Sequence, residues 1–204
     1  MLAQEGAAVE ADRTVTSGMA GAAFVLAGAT LDLRDAYVVS PQLTTPFGGF
    51  GVLAGERSTV RVERVAVVAP RGVAVSVADS AAARGTTLTA RDLYVSGVVE
   101  GLTDTAANAA PEAYGASVDE GGVVELSRAV FDGGRWGFFQ TLGALRLRDV
   151  VIARQRGAAG ASNGVAGLGR LTLERVSFTA NARDAVAREV RLPPVRIPVP
   201  RLAE

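Results

Sequence analysis

The sequence predicts an all-β solenoid, in which the chain winds in coils of three short strands and the coils stack in parallel. Three observations lead to this prediction. An apolar-x-apolar-x-x-apolar-x-apolar pattern recurs along the 204 residues. Inside each copy the apolar residues alternate with a period of two, which is typical of strands and not of helices. The two polar residues that interrupt each copy carry charges whose sign alternates from copy to copy.

The copies of this pattern cover most of the chain. Six are complete, a weaker copy opens the chain at 8–16, and a last copy closes it at 189–197; the complete copies are 29–38, 58–67, 86–95, 122–131, 143–152 and 169–178. Their first apolar positions are Val9, Leu31, Val60, Leu88, Val124, Leu145, Leu171 and Val190. We interpret each copy as two short strands on either side of a two-residue bend, with the same face inward.

A third strand is predicted in the segment between successive copies. These segments begin with glycine and lie at 51–55, 72–77, 115–120, 137–142 and 164–169. Three strands in about 26 residues make one coil of a solenoid. The Gly-rich run 157–169 has no following helix and no lysine, so we predict a turn region there and not a phosphate-binding loop. The longer loops 39–50 and 96–114 are predicted to project from one side, the second with a short helix at 103–113.

The bend residues test the stacking, because equivalent residues of stacked coils lie about 4.8 Å apart. The second bend residue alternates in sign through seven copies and reads Arg13, Asp35, Arg64, Asp92, Arg128, Asp149 and Arg175. The first bend residue alternates as well, except at Ser127; it reads Asp12, Arg34, Glu63, Arg91, Ser127, Arg148 and Glu174. Opposite charges at this spacing attract and like charges repel. We therefore predict a structural charge ladder that holds the coils in register.

The copies resemble the coils of right-handed parallel β-helix repeat proteins, the pectate-lyase-like superfamily. The segment GRLTLERVSFTAN at 169–181 carries the resemblance, with Asn181 in the usual loop position. The resemblance covers about 8–197 and implies a single-stranded right-handed parallel β-helix of about eight coils; the general rule for parallel crossovers also favours that hand. Asp or Arg replaces the family's common Asn at the bend, so no Asn ladder is expected there. A β-sandwich is the alternative architecture, but it would not explain the charge columns.

We expect residues 1–204 to form a single domain within a longer protein. Its coils are predicted over 8–197 and a C-terminal tail over 198–204. Pro193 and Pro194 fall in the last bend, where proline removes backbone donors. We interpret 190–200 as a terminal coil, with a linker as the alternative. Residues 14–31 carry no charge, but they are rich in Gly, Ala and Thr, so we expect no membrane span and no signal peptide in this chain.

The composition excludes several classes of chemistry. The chain has no Cys and no His, and all 21 basic residues are Arg. Cysteine and Ser-His-Asp nucleophiles, zinc sites and the lysine of a phosphate-binding loop are therefore excluded, and we expect no metal and no cofactor. The 21 acidic residues balance the basic ones, which argues against a nucleic-acid partner held by bulk charge.

The sparse aromatic residues are the candidate ligand-binding residues. Phe50, Tyr114 and Trp136 occupy equivalent loop-to-strand junctions, and Arg135 and Phe139 lie beside Trp136. Aromatic faces with an arginine suit sugar rings and their carboxylates. The alternative is that these rings cover the core on the loop side.

Catalytic candidates are few. The resemblance implies that calcium-binding acids and an Arg base of enzymes acting on acidic polysaccharides would lie at the Gly-led strand, which here leaves Asp119, Glu120 and Arg135. Asp119 and Glu120 are neighbours on a strand and face opposite ways. We therefore expect a non-catalytic scaffold or polysaccharide-binding module of an exported bacterial surface protein, whose partner is a polysaccharide or another surface protein.

Two other functions remain open at this stage. One is a polysaccharide lyase or glycoside hydrolase that acts on acidic glycans. The other is a homo-oligomeric structural element, which would use an outward stripe of mainly apolar residues on the strand after the bend: Tyr37, Ala66, Tyr94, Val130, Val151 and Ser177.

Overall fold

A computed structural model describes residues 1–18, 21–39, 49–79, 82–99, 114–119, 121–140, 143–162 and 170–182. In this part of the chain the protein is all-β, with thirteen strands and no helix. The strands are β1 (Leu2–Ala3), β2 (Ala8–Asp12), β3 (Val15–Ser17), β4 (Gly21–Val25), β5 (Thr30–Val39), β6 (Phe50–Ala54), β7 (Thr59–Val68), β8 (Val73–Val77), β9 (Thr87–Ser96), β10 (Tyr114–Val118), β11 (Val123–Gln140), β12 (Ala144–Ser162) and β13 (Arg170–Thr179).

Every pair of neighbouring strands is parallel, as the sequence predicts, and the strands form two stacks. The first stack runs through β1, β4, β6, β8 and β10 to the second half of β11, where Tyr114 is in register with Trp136. The second stack runs from β2 and β3 through β5, β7 and β9 to the first half of β11, and β12 and β13 follow. Each passage of the chain thus pairs with the passages before and after it, and the sheet curls around an axis in a solenoid-like fold.

The corner between the two strands of each copy is made by a single residue. All seven residues of the second bend position have φ between 48° and 57°, in the left-handed region; they are Arg13, Asp35, Arg64, Asp92, Arg128, Asp149 and Arg175. One left-handed residue turns an extended chain sharply, and Asp adopts this region more readily than most residues. The long strands, such as β5 and β7, continue through the corner with their ladder pairing resumed on the far side.

The core lies inside the coils and is built from the predicted apolar columns. Leu33, Val62, Ala90, Leu126 and Leu147 are successive neighbours in one column, and each is at most 3% exposed. Because a parallel strand here repeats the same inward position in every coil, the apolar side chains stack into a continuous core.

The prediction of a turn over the Gly-rich run was wrong for its first half. Residues 157–162 belong to β12 and pair with β11, with Gly160 opposite Phe138. Small residues are needed there, because a Cβ on Gly160 would collide with the Phe138 ring of the preceding coil. The strand of this coil that pairs with the second half of β11 therefore lies before the predicted segment. The predicted segment itself, 164–169, lies outside the described residues.

Several other predictions also fall outside the described residues. They are the main parts of the two long loops with the helix at 103–113, the candidate Glu120, and the last copy at 189–197 with its prolines. Within the residues that the structure does describe, no helix has the length and apolar character needed to cross a membrane.

Candidate binding surfaces

The aromatic patch consists of Tyr114, Trp136 and Phe139 on the outer side of the first stack. Tyr114 opens β10, and Trp136 lies in register with it on β11. The Tyr114 and Phe139 rings are stacked, with centroids 4.9 Å apart and planes inclined by 21°. All three side chains are half-buried, so the rings both cover the sheet and present part of their surface to solvent.

The structure brings together three of the five predicted ligand-binding residues by contact or register and separates one. Arg135 precedes Trp136 on β11 and is half-buried. Phe50 opens β6, which pairs with β8, and β8 in turn pairs with β10. Two strand spacings, or about 10 Å, therefore separate Phe50 from Tyr114. The distance between their backbones places Phe50 beside the patch rather than in it.

Two buried hydroxyl groups lie next to the aromatic patch. Ser76 and Ser117 are in register on β8 and β10, and Phe139 follows in the next coil. Their Oγ atoms are 2.8 Å apart, and both residues are at most 6% exposed. The two hydroxyls satisfy each other, which explains how polar side chains remain buried here.

The acidic residue Asp79, which follows β8, has a structural role. Its Oδ2 accepts hydrogen bonds from the backbone N–H groups of Gly85 and Thr86, each at 2.9 Å. Its Oδ1 accepts from the N–H of Glu56 at 3.1 Å and from the Thr86 hydroxyl. Asp79 is 9% exposed, so a buried carboxylate is satisfied by four donors and ties the turns of two coils together.

The catalytic candidates form no cluster that the structure describes. Asp119 directly follows β10, the equivalent strand one coil later; it is half-buried and donates its N–H to Val77 O at 3.0 Å. Its sequence neighbour Glu120 lies outside the described residues. Among the residues that are described, no group of three acidic side chains is placed to hold a metal ion.

A second surface, the charged groove, runs along the outer face of the second stack. Its volume is about 520 Å³, and it is open to solvent along several coils. Two outward columns line it, one at the first bend position and one two residues earlier; their members in the groove are Asp32, Arg34, Arg61, Glu63, Thr89, Arg91, Glu125, Ser127, Arg146, Arg148, Thr172 and Glu174. Successive coils thus build one surface of alternating charge.

The charge ladder beside this groove consists of separate pairs. Each of three arginines reaches back to the aspartate of the preceding coil: Arg64 to Asp35, Arg128 to Asp92, and Arg175 to Asp149. Arg13 lies 3.8 Å from its neighbour Asp12. In the described part of the chain, no ion pair joins one of these pairs to the next, although the charges of Arg13 and Arg128 also lower the pKa of Asp35 and of Asp149.

Two of the pairs lower the pKa of their aspartate. The hydrogen bond from Arg64 holds the pKa of Asp35 below its ordinary value, although partial burial of the carboxyl opposes the shift. The hydrogen bond from Arg175 lowers the pKa of Asp149 in the same way. Both carboxylates therefore stay charged to a lower pH than an ordinary aspartate does.

Amide side chains link coils at a second corner, which sequence reasoning missed. Gln155 donates from Nε2 to the carbonyl oxygen of Phe131 at 3.2 Å, and Asn181 donates from Nδ2 to that of Ile152 at 2.9 Å. Phe131 and Ile152 are register neighbours, so the two amides make equivalent contacts in successive coils. The usual loop position of Asn181 was the one signal of this arrangement in the sequence.

The predicted apolar stripe forms one outward column. Tyr37, Ala66 and Tyr94 are register neighbours, and Val130, Val151 and Ser177 continue the column. Ala66 is 7% exposed, and the other members are half-buried.

A comparison of the sequence with models of protein families and with curated proteins finds no match to either.

Proposed function

We propose that the protein is a right-handed parallel β-helix of about eight coils, and that it is a non-catalytic scaffold that binds polysaccharide on an exported bacterial surface protein. Eight copies of the pattern in the sequence support the number of coils. The parallel register between successive passages of the chain supports the winding. The hand, the exported location and the bacterial source rest on the resemblance of the repeats.

The stacked rings of Tyr114 and Phe139 are the observation that carries the binding proposal. Aromatic faces pack against the apolar faces of sugar rings, and an amphipathic ring can hold one partner while it remains partly wet. Trp136 lies in register with Tyr114 and adds a third face. Arg135, the residue before Trp136, carries the kind of cation that suits a carboxylate of an acidic sugar.

The non-catalytic part of the proposal rests on what the acids near this surface do. Asp79 is fully engaged by four donors. A general acid or base must reach a reacting atom on the substrate, and a carboxylate that holds two turns together is not placed for that task. Asp119 is half-buried at the end of a strand, and it is the residue to test for residual catalysis.

Glycan binding and turnover can be measured on the same samples. Isothermal titration with polygalacturonate and with neutral polysaccharides should show binding by the wild-type protein, and Trp136→Ala should weaken it. Tyr37→Ala removes a half-buried aromatic side chain from a different column and is the matched control, with thermal unfolding of each variant as a check of folding. Equal binding by the wild-type protein and Trp136→Ala would contradict the proposed site.

Turnover distinguishes this proposal from the enzyme alternative. The wild-type protein should release no product from either polysaccharide. Robust product formation that disappears in Asp119→Ala would instead show a lyase or hydrolase and would overturn the non-catalytic assignment.

A further inference from the structure

One position in the charged groove interrupts the alternation of charge. In the column of first bend residues, acids and arginines alternate, but Ser127 stands where an acid would follow Arg91. The structure makes Ser127 the direct register neighbour of Arg91 on one side and of Arg148 on the other. Two arginines therefore flank Ser127, and their backbones lie one strand spacing, about 4.8 Å, to each side of it.

The two flanking arginines are weakly engaged. The closest carboxylate oxygen to Arg91 belongs to Asp92, 3.8 Å from Nε, and the closest to Arg148 belongs to Glu174, at 3.5 Å. Considering only described residues, neither guanidinium donates a hydrogen bond, although each has five N–H donors. Each side chain is 61% exposed. By contrast, Arg34 and Arg64 hold carboxylates at 2.6 Å.

Three of the acids that face the groove accept a hydrogen bond from another arginine. Glu63 accepts from Arg64 at 2.6 Å, Glu174 accepts from Arg175 at 2.5 Å, and Glu125 accepts from Arg146. Arg64 and Arg175 also bind Asp35 and Asp149. Among the described residues, however, no acid of the groove accepts a hydrogen bond from Arg91 or Arg148, whose carboxylate contacts to Asp92, Asp149 and Glu174 are all at 3.5–3.8 Å. The Ser127 hydroxyl lies 3.5 Å from the carbonyl oxygen of Ala90, at the limit of a hydrogen bond, so it can turn toward a ligand at little cost.

We propose that the groove binds an oxyanion above Ser127, between Arg91 and Arg148, where it takes the place of the missing acid. The chemistry is that of a carboxylate, sulfate or phosphate group, since guanidinium forks match the oxygens of all three. This site lies on the second stack and does not depend on the aromatic patch of the first. The groove volume of about 520 Å³ leaves room for the molecule that carries the oxyanion.

Titrations with three simple anions test the site. Sodium acetate, sodium sulfate and sodium phosphate are each added to the ¹⁵N-labelled protein at constant ionic strength, and backbone amide shifts are followed by NMR. We expect saturable shifts centred on Ser127 and its register neighbours. A stronger response to acetate indicates a carboxylate ligand, and a stronger response to sulfate or phosphate indicates a tetrahedral one.

Variants make the test specific. Ser127→Asp supplies the missing carboxylate from the chain, so it should weaken anion binding by at least about tenfold, or 1.4 kcal/mol. Thr179→Asp adds the same charge at an exposed position on another strand segment and should bind as the wild type does. Arg91→Gln should weaken binding without adding an acid, which covers the case in which Ser127→Asp does not fold. Absence of saturable shifts with all three anions, or equal binding by the wild type and Arg91→Gln, would overturn the proposal.

Discussion

Asp35 and Arg64 are 29 residues apart in the chain and form a bidentate ion pair. Nε of Arg64 lies 2.6 Å from Oδ1 of Asp35, and Nη2 lies 2.8 Å from Oδ2. Both residues make the left-handed corner of their own coil, with φ of 48° and 53°. The contact therefore joins two consecutive corners, and the pairs Asp92–Arg128 and Asp149–Arg175 repeat it further along the axis.

The pH dependence of stability should reveal how much the Asp35–Arg64 pair contributes to it. The folded pKa of Asp35 is lowered by the Arg64 hydrogen bond, so the pair stabilises the protein above the unfolded carboxyl pKa of about 3.9. That stabilisation is lost as the pH falls through the folded pKa. We expect Asp35→Asn, which keeps the left-handed corner, to lower Tm modestly at pH 7, and the difference from wild type to become smaller as the pH is lowered to 2. A difference that is the same at both pH values would contradict this account.

Reversal of one charge should disturb the column. Asp92 is 6% exposed, and its Oδ1 accepts from Nε of Arg128 at 2.5 Å. Asp92→Arg would place three like charges in consecutive coils, at Arg64, residue 92 and Arg128. We expect a loss of about 1 kcal/mol in the free energy of unfolding at low salt, and a smaller loss at 1 M salt because of screening. Asp92→Asn is the neutral control in urea unfolding, and equal losses at both salt concentrations would show that the column charges do not act electrostatically.

The Asp79 contacts should be sensitive to an isosteric change. Asp79→Asn keeps the shape, but whichever way the amide is turned, its NH₂ group faces N–H or O–H donors. We expect the free energy of unfolding to fall by about 2–3 kcal/mol, since buried donors lose a charged acceptor. Thr86→Val removes only the hydroxyl bond and should cost less, about 1 kcal/mol. A neutral result for Asp79→Asn in urea unfolding would mean that water replaces these hydrogen bonds.

Gly115 should tolerate no side chain. A Cβ at this position would overlap the ring of Phe131 in the core and the carbonyl oxygen of Gly137 in the next strand. We expect Gly115→Ala to destabilise the fold by about 3 kcal/mol through overpacking. Phe131→Leu should relieve part of the strain, so the double variant should lose less stability than the sum of the two single variants. Strict additivity would show that the overlap with Phe131 is not the cause.

The sequence predicted the columns well because they depend on local alternation. Leu33 and Val62 are inward simply because strand residues alternate and the repeat returns to the same phase. The same periodicity placed Asp35 and Arg64 at equivalent corners. It failed over 157–162, where glycine composition suggested a turn but the ring of Phe138 requires small residues in a strand.

The periodicity of the sequence could not predict which of its two neighbours each charged residue of the column pairs with. Alternation of sign makes Asp92 an equal neighbour of Arg64 and Arg128, and only the side-chain conformations show that Arg128 is its partner. Three other sets of contacts were likewise not predicted: the hydrogen bonds accepted by Asp79, the amide contacts of Gln155 and Asn181, and the stacking of Tyr114 on Phe139. Each depends on side-chain rotamers and on how two coils meet.

The amino-acid sequence by itself determined that this chain is all-β and that residues one repeat apart become neighbours, because apolar alternation and regular charge reversal are properties of the chain alone. The tertiary structure decided which of those neighbours bond, which arginines beside Ser127 have no hydrogen-bonded acid among the described residues, and which rings stack. Those choices follow from distances of a few ångströms between side chains of different coils, and such distances exist only once the coils have packed.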